Sequence, residues 1–232
     1  TPQQEARPLL AAEVPSVEAG TWKILSDGRM ETTYTLRDNA TWHDGEPITA
    51  RDFAFAYQVR TDPAFPGQSV NVERLLSRVT AADDRTLFLD WKEPYLYAGQ
   101  IHLPDFSPMH RQRLQRLYLE DPSSFFDGPH WREDFVGAGP YRVERWEPGL
   151  EIVFQAHKGF VLGPPPIDQV RVRFIPDANT IVANVLSGAA DVAFSLHIGF
   201  SQGQALQQAG WGGTVEYWDG NPRIIEFQAR DW

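Results

Sequence analysis

The stretch of sequence that decides the fold covers residues 36–53 and reads LRDNATWHDGEPITARDF. Leading into it, residues 30–37 alternate between side chains that can face a core and polar ones, which predicts a half-buried strand. Asp44-Gly45 predicts a tight turn, because Gly adopts positive φ without steric cost and Asp can bond its own following backbone. The sequence therefore predicts a strand that runs into a turn.

The same stretch ends in the start of a helix. Thr49 and Asp52 have the spacing of a capping box, with a hydroxyl at the N-cap and a carboxylate three residues later that can reach back. Phe53 and Tyr57 follow four residues apart, so we expect them on one face of this helix. Pro63 ends the segment. The predicted unit is strand, tight turn and capped helix.

The composition is that of a chain that can fold around a core. Its 232 residues are 42% hydrophobic and 22% charged, which fits one large domain or two small ones. The net charge of −10 argues against nucleic acid as a partner. The basic run at residues 111–116 is better interpreted as the solvent-exposed side of an amphipathic helix, with Leu114, Leu117 and Tyr118 on its apolar side. Because the chain has no cysteine, a disulfide framework, a thiolate zinc site and a cysteine nucleophile are excluded.

Targeting segments are not evident in the sequence. No stretch approaches the ~18 apolar residues of a membrane span. No signal peptide precedes Thr1, so we expect a chain that is cytosolic, processed or a fragment. Trp232 as the final residue favours a cut end.

The first half also predicts a hairpin and two helices. Residues 79–81 and 87–89 flank Asp83-Asp84-Arg85, the pattern of a β-hairpin with one buried face. A short helix is predicted over residues 95–103, and the amphipathic helix over residues 111–119. Residues 121–140 are rich in Pro and Gly among polar residues, which predicts a loop or a crossover between domains.

The second half predicts strands that alternate with helices. Two strands, at residues 141–146 and 151–154, flank the turn Pro148-Gly149. A helix capped by Asp177 follows the strand at residues 170–174 and ends at Gly188. The remaining elements are a strand at 191–194, a helix at 202–209, a strand at 214–218 and a strand at 223–228. Strand, helix, strand, helix, strand predicts right-handed crossovers and a parallel sheet.

Several chemical motifs are present only in part. Gly137-Ala138-Gly139 begins like a dinucleotide-binding loop, but Pro140 and a strand follow where that loop needs a helix. His43 and Asp44 are neighbours on an extended chain and point apart, and no HExxH motif occurs, so we expect no metal site. No cofactor is expected either. No G-x-S-x-G nucleophile motif is present, so no catalytic residue is assigned.

The ends of the predicted parallel strands offer a ligand site. Open α/β sheets bind ligands outside the carboxyl ends of their strands. The predicted ligand-binding residues at these ends are Ser195, His197, Trp218, Asp219 and Asn221. A Trp ring for stacking and an amide for hydrogen bonds suit a peptide-like or other polar organic ligand. The alternative, that Trp218 belongs to the core and Asn221-Pro222 forms a turn, stays open.

The amino-acid sequence of these segments resembles that of family 5 of the extracellular solute-binding proteins. The family reads roughly LR-x-x-x-x-W-x-DG-x-P-(L/I/V)-T-A-x-D at the stretch quoted above, and residues 36–52 agree with it. Residues 137–141, GAGPY, resemble the family's GTGPY, with Ala138 in place of Thr. Further agreement, in order along the chain, covers Trp146-Glu147-Pro148-Gly149, residues 167–177 and residues 186–192. The family's rNp.Yw is altered here to His157-Lys158-Gly159-Phe160.

This resemblance implies a fold and a division into domains. The implied fold class is α/β: a type II, periplasmic-binding-protein-like first lobe with a mixed sheet, plus a small α+β extra domain. Residues 1–135 would be the small extra domain and residues 136–232 part of the first lobe, with the second lobe absent. Such receptors trap a ligand between lobes that close about a hinge.

It also implies a function. The expected function is a non-enzymatic, monomeric receptor that delivers peptides or similar organic solutes to the permease subunits of an ABC importer. Its expected location is periplasmic or extracellular, at the membrane only through a lipid anchor or the permease. As a fragment, the chain is expected to bind its solute weakly. The alternatives are an α/β hydrolase-like enzyme that uses the strand-end polar residues and a ligand-sensing module.

Overall fold

The computed structural model describes residues 7–65, 71–101, 106–194, 198–215 and 224–225. The chain divides into two compact units. The first unit comprises Thr1–Trp146 with Val153–Arg171, and the second comprises Glu147–Ile152 with Val172–Trp232. The division into domains at residues 135 and 136 stays a prediction.

A four-stranded antiparallel sheet lies in the first unit. Its strands are β1 (Trp22–Ile24), β2 (Met30–Thr35), β3 (Leu76–Ala81) and β4 (Thr86–Trp91), in the order β1-β2-β4-β3. The predicted strand at residue 30 and the predicted hairpin are thus confirmed. In β4 every second residue is buried, ending in Trp91, which has no exposed surface. This alternation is the sequence pattern from which the hairpin was predicted.

The first unit also contains the helices α1 (Ala50–Thr61), α2 (Asn71–Leu75) and α3 (Arg111–Glu120), with 3-10 turns at Ala98–Gln100, Pro122–Ser124 and Pro129–Trp131. The predicted helix over residues 95–103 is wrong over the described residues, because only one 3-10 turn forms there. The amides of Ala98 and Gln100 bond three residues back, to Tyr95 and Tyr97. Pro104 follows closely, and residues before a proline disfavour the helical conformation.

The first unit is held together by apolar clusters on the two sides of α1. One cluster joins the sheet to the quoted stretch, with Met30, Trp42, Ile48, Phe53 and Trp91 buried in it. The other packs α1 against α3 and is aromatic; it consists of Phe55, Ala56, Val59, Met109, Leu114, Tyr118 and Phe125. Each large apolar side chain buried in this way stabilises the fold by about 1.5–3 kcal/mol. The amphipathic interpretation of α3 is confirmed, since Leu114 and Tyr118 are its buried residues.

A second sheet has three strands, β5 (Tyr141–Glu147), β6 (Glu151–Ala156) and β7 (Gln169–Arg173), in the order β5-β6-β7. The turn between β5 and β6 is the one predicted at Pro148-Gly149. Gly149 has a φ of 76°, a conformation that side chains with a Cβ rarely adopt. The amide of Leu150 closes the turn on the carbonyl of Glu147 at 3.0 Å.

The second unit contains α4 (Ala178–Leu186), β8 (Ala193–Phe194), α5 (Phe200–Gln208) and β9 (Ile224–Ile225). Asp177 caps α4 as predicted, because its carboxylate accepts the amide of Thr180 at 2.7 Å. A small core joins the two helices and β8 through Ile181, Val185, Ala193, Ile198 and Leu206.

The predicted parallel sheet is wrong for the strands that the structure describes here. β8 pairs with β9 in antiparallel register, Ala193 opposite Ile225, and β7 belongs to the sheet of β5 and β6. Alternation of strands and helices indicates the elements, but the choice of strand partner depends on contacts far apart in the chain. Residues 214–215 are not in a strand, and the rest of that predicted strand lies outside the described residues.

Candidate functional site

The five predicted ligand-binding residues, Ser195, His197, Trp218, Asp219 and Asn221, all lie outside the described residues. The structure therefore neither brings them together nor separates them. In sequence, β8 and the start of α5 flank Ser195 and His197, and at the start of α5 the amide of Gly199 donates to Oε1 of Gln202 at 3.1 Å. Ile198, at 2% exposure, anchors this connection in the core of the second unit. The site residues stay a prediction.

A polar cluster surrounds the turn at residues 42–45, called the 42–45 turn below. The turn is closed by the amide of Gly45 on the carbonyl of Trp42 at 3.0 Å, with Gly45 at a φ of 90°. Oδ2 of Asp44 accepts Nε of Arg113 at 2.7 Å and lies 3.1 Å from Nε2 of His110. The ring of His110, which is 2% exposed, stacks on Trp42 with centroids 4.7 Å apart. One carboxylate thus joins the turn to α3.

The surroundings keep Asp44 ionised. Burial by itself would raise the pKa of Asp44, but hydrogen bonds from Arg113, from the backbone of Glu46 and from His110 lower the pKa below its usual value. A carboxylate held in this way accepts hydrogen bonds and does not exchange protons near neutral pH. The cluster is therefore suited to holding the 42–45 turn in place and not to acid–base chemistry.

His43, the neighbour of Asp44, points the other way, as expected from the sequence. It contacts residues 137–139, called the 137–139 segment below, and meets His157 edge-on with ring centroids 5.1 Å apart. Burial of the His43 ring lowers its pKa, the hydrogen bond with Gly139 acts in the opposite direction, and the electrostatic effects of His157 and Arg142 lower it further. Among the described residues, no group of His, Asp and Glu is arranged to hold a metal ion.

An open groove of about 730 Å³ runs between α1 and α3. Its charged and hydroxyl groups already bond within the chain. The Tyr118 hydroxyl donates to Asp62 at 2.5 Å, and Arg111 donates to Gln115 at 2.8 Å. A ligand would have to replace these bonds, so the groove adds no strong binding group.

Sequence reasoning missed the partners of Asp44. His110 and Arg113 lie 66 and 69 positions away from it, and neither helical periodicity nor turn chemistry connects such distant residues. The one local sequence signal near His110 and Arg113 was the predicted start of α3 at residue 111.

The sequence model of the family described as bacterial extracellular solute-binding proteins, family 5 Middle, matches residues 5–230. A curated relative, the dipeptide-binding protein DppE of Bacillus subtilis, is 26% identical over 190 residues, which is 75% of this chain and 33% of that protein. The chain thus spans about a third of the length of this relative. The described residues contain no helix that is both long and apolar enough to cross a membrane.

Solved structures show the same fold. The oligopeptide-binding protein of Thermus thermophilus, complexed with a pentapeptide, has a TM-score of 0.70 at 26% identity, over 91% of this chain and 40% of that one. AppA of Bacillus subtilis, in complex with a nonapeptide, has a TM-score of 0.68 at 18% identity, over 91% of this chain and 41% of that one. The expected fold class, α/β and of the type II periplasmic-binding-protein kind, is confirmed, with antiparallel pairing in the four-stranded sheet and between β8 and β9.

The motif from which the family was expected has a structural role. The stretch at residues 36–53 forms β-bridges, the 42–45 turn and the capped start of α1, so its side chains serve the scaffold. Members of this family are binding proteins and not enzymes. The hydrolase alternative is therefore not favoured. The chain belongs to family 5 of the bacterial extracellular solute-binding proteins.

Proposed function

We propose that this chain is part of a receptor that binds peptides or similar organic solutes outside the cell and delivers them to an ABC importer. The observation that carries the proposal is the likeness of its fold, over nine-tenths of the chain, to an oligopeptide-binding protein complexed with a pentapeptide. The dipeptide-binding relative supports the same class of ligand. The receptor carries out no reaction of its own.

The proposed division of labour follows from the length of the chain. Residues 1–135 form the small extra domain and residues 136–232 form part of the first lobe. Because the chain spans about 40% of the peptide-bound protein, more than half of that fold lies in parts that this chain does not match. Ligand affinity depends on how completely the ligand is enclosed. The chain by itself therefore binds its solute weakly, and the whole receptor binds it tightly.

The proposed ligand contacts within this chain are Trp218, Asp219, Asn221, Ser195 and His197. The indole of Trp218 gives a flat apolar face, and the amide of Asn221 both donates and accepts hydrogen bonds. That combination matches a peptide, whose backbone offers both groups in each residue. The partners are the solute and the permease subunits. The receptor is a periplasmic or extracellular monomer that reaches the membrane through a lipid anchor or the permease.

Native mass spectrometry and calorimetry on the full-length protein test the proposal. A co-purified peptide, and sub-micromolar binding of that peptide by the full-length protein, are the expected results. We expect Asn221→Ala to weaken the binding about tenfold or more, and the matched control Asn184→Ala, on α4, to leave it unchanged. Turnover of ester or amide substrates would favour the enzyme instead. Sub-micromolar binding by residues 1–232 alone would contradict the proposed division of labour.

A further inference from the structure

His43 fastens two segments that are almost a hundred residues apart in sequence. Its amide donates to the carbonyl of Gly137 at 2.9 Å. The amide of Gly137 donates in return to Nδ1 of the His43 ring at 3.1 Å. On the other side of the ring, Nε2 lies 3.1 Å from the carbonyl oxygen of Gly139. Every hydrogen-bonding atom of the ring is thus used to hold the 137–139 segment against the 42–45 turn.

These partners fix the protonation state of the ring. A backbone amide only donates, so Nδ1 must present a lone pair to Gly137. A backbone carbonyl only accepts, so Nε2 must carry the hydrogen that bonds to Gly139. The neutral Nε2–H tautomer therefore satisfies both contacts. A second proton would sit on Nδ1 and point directly at the N–H of Gly137, replacing a hydrogen bond by a repulsive contact.

The packing leaves the 137–139 segment little room to adapt while it stays in contact. A Cβ on Gly137 would lie 2.8 Å from the Phe135 ring and 3.2 Å from the His43 ring. The His157 ring, 8% exposed, lies within 3.4 Å of the Gly139 carbonyl through its own Nδ1. We expect protonation of His43 to be relieved by separation of the two segments, since both ring nitrogens already bond to the 137–139 segment.

The charged groups around His43 do not offset a positive charge on its ring. His157 and Arg142 oppose that charge, and Asp44 favours it. The carboxylate of Asp44 is already bonded to Arg113 and His110. Burial is the largest of the effects and lowers the pKa of His43 below its ordinary 6.5.

We propose that His43 is a proton-sensitive latch, which holds the 137–139 segment on the 42–45 turn at neutral pH and releases it in acid. The 137–139 segment leads directly into β5, so release loosens the start of that strand. The latch depends on the contacts of the His43 ring in this chain. It goes beyond the proposed function, because it works whatever solute is bound.

Hydrogen exchange with mass spectrometry on the full-length protein tests the latch. Exchange of peptides that cover residues 136–141 is compared at pH 7.5 and pH 5.0, after correction for intrinsic rates. Because the released ring binds a proton at a higher pH than the latched ring, the released population should rise as the pH falls below 6.5, approaching about tenfold for each further pH unit until the latched ring also titrates. We expect protection of these peptides to fall about tenfold or more, while that of β4 changes less. Equal protection at both pH values would overturn the proposal.

A substitution separates His43 from the other histidines. His43→Asn places an amide oxygen close to the position of Nδ1, where it can accept from Gly137 without titrating. This variant should keep its protection at pH 5.0, whereas the control His157→Asn should lose it as the unsubstituted protein does. An unchanged response in His43→Asn would also overturn the latch. If that variant does not fold, nitrogen chemical shifts of the unsubstituted ring decide, since an Nδ1–H tautomer or a pKa at or above 6.5 would exclude the mechanism.

Discussion

The carboxylate of Asp52 accepts the backbone amide of Arg111 at 2.9 Å, so one side chain caps two helices. Its other oxygen accepts the amide of Thr49 at 2.7 Å and the Thr49 hydroxyl at 2.9 Å, which is the predicted capping box of α1. Asp52 is 4% exposed, so these bonds are shielded from water. The first residue of α3 is thereby fixed to the first turn of α1.

Replacing Asp52 should destabilise the protein more than its place in a single capping box predicts. Asp52→Ala leaves the amides of Thr49 and Arg111 without this acceptor in a buried place, and an unsatisfied buried donor costs about 1–3 kcal/mol. We expect a loss of about 2–4 kcal/mol in the free energy of unfolding, measured by urea denaturation. The control is Asp84→Ala, because Asp84 pairs with Arg51 at 3.3 Å on an exposed surface and should cost at most about 1 kcal/mol. Equal losses for the two variants would contradict the double-cap interpretation.

A buried hydrogen bond joins Trp91 to Thr32 inside the four-stranded sheet. Nε1 of Trp91 donates to the Thr32 hydroxyl at 2.9 Å, with both residues fully buried. Thr32→Val keeps the shape of the side chain but removes the acceptor, so we expect a loss of about 1–3 kcal/mol in urea denaturation. The matched control is Thr33→Val, on the same strand, which should change the stability by less than about 0.5 kcal/mol. A neutral result for Thr32→Val would show that water or another group replaces the hydroxyl.

Asp44 and Arg113 should show energetic coupling across the 69 positions between them. The variants Asp44→Ala and Arg113→Ala, with the double variant, form a cycle in which the coupling is the part of the loss that is not additive. Arg113 is 45% exposed at its side chain, so solvent screens the pair. We expect a coupling of about 0.5–1.5 kcal/mol. Asp44→Ala should cost more than Arg113→Ala, because it also removes the contact of the buried His110. Strict additivity would mean that the ion pair contributes nothing.

Local features of this fold could be predicted from the sequence. Each of four features depends on a few residues that are neighbours in the sequence: the capping box at Thr49, the hairpin before Trp91, the turn at Gly149 and the cap at Asp177. The pairing of strands could not be predicted in the same way. The alternation of elements after residue 170 predicted a parallel sheet, whereas β8 pairs with β9 in antiparallel register.

Contacts between distant segments escaped prediction for a related reason. The bonds from Asp52 to Arg111 and from Asp44 to Arg113 arise only after the apolar faces of α1 and α3 have packed. The hydrophobic periodicity of a helix predicts its buried face, but it does not predict which distant polar residue will bond to it. The predicted ligand site has not been tested by the structure, since its five residues lie outside the described part of the chain. Its support is the chemistry of the residues, since a Trp ring and an amide side chain suit a peptide-like ligand.

Mild acid should destabilise the first unit through histidines that are neutral in the folded protein. Burial, aided by the electrostatic effects of His110 and Arg113, lowers the pKa of His130 from 6.5 to about 4. Between these values the unfolded chain binds more protons than the folded one, so the free energy of unfolding falls as the pH falls from 6.5 to 4 and this contribution levels off below 4. Urea midpoints at about pH 7.5, 6.0, 5.0 and 4.0 measure the slope. His130→Gln should make it shallower, since Gln does not titrate. A stability that stays level or rises over this range would show that His130 is free to take up its proton in the folded state.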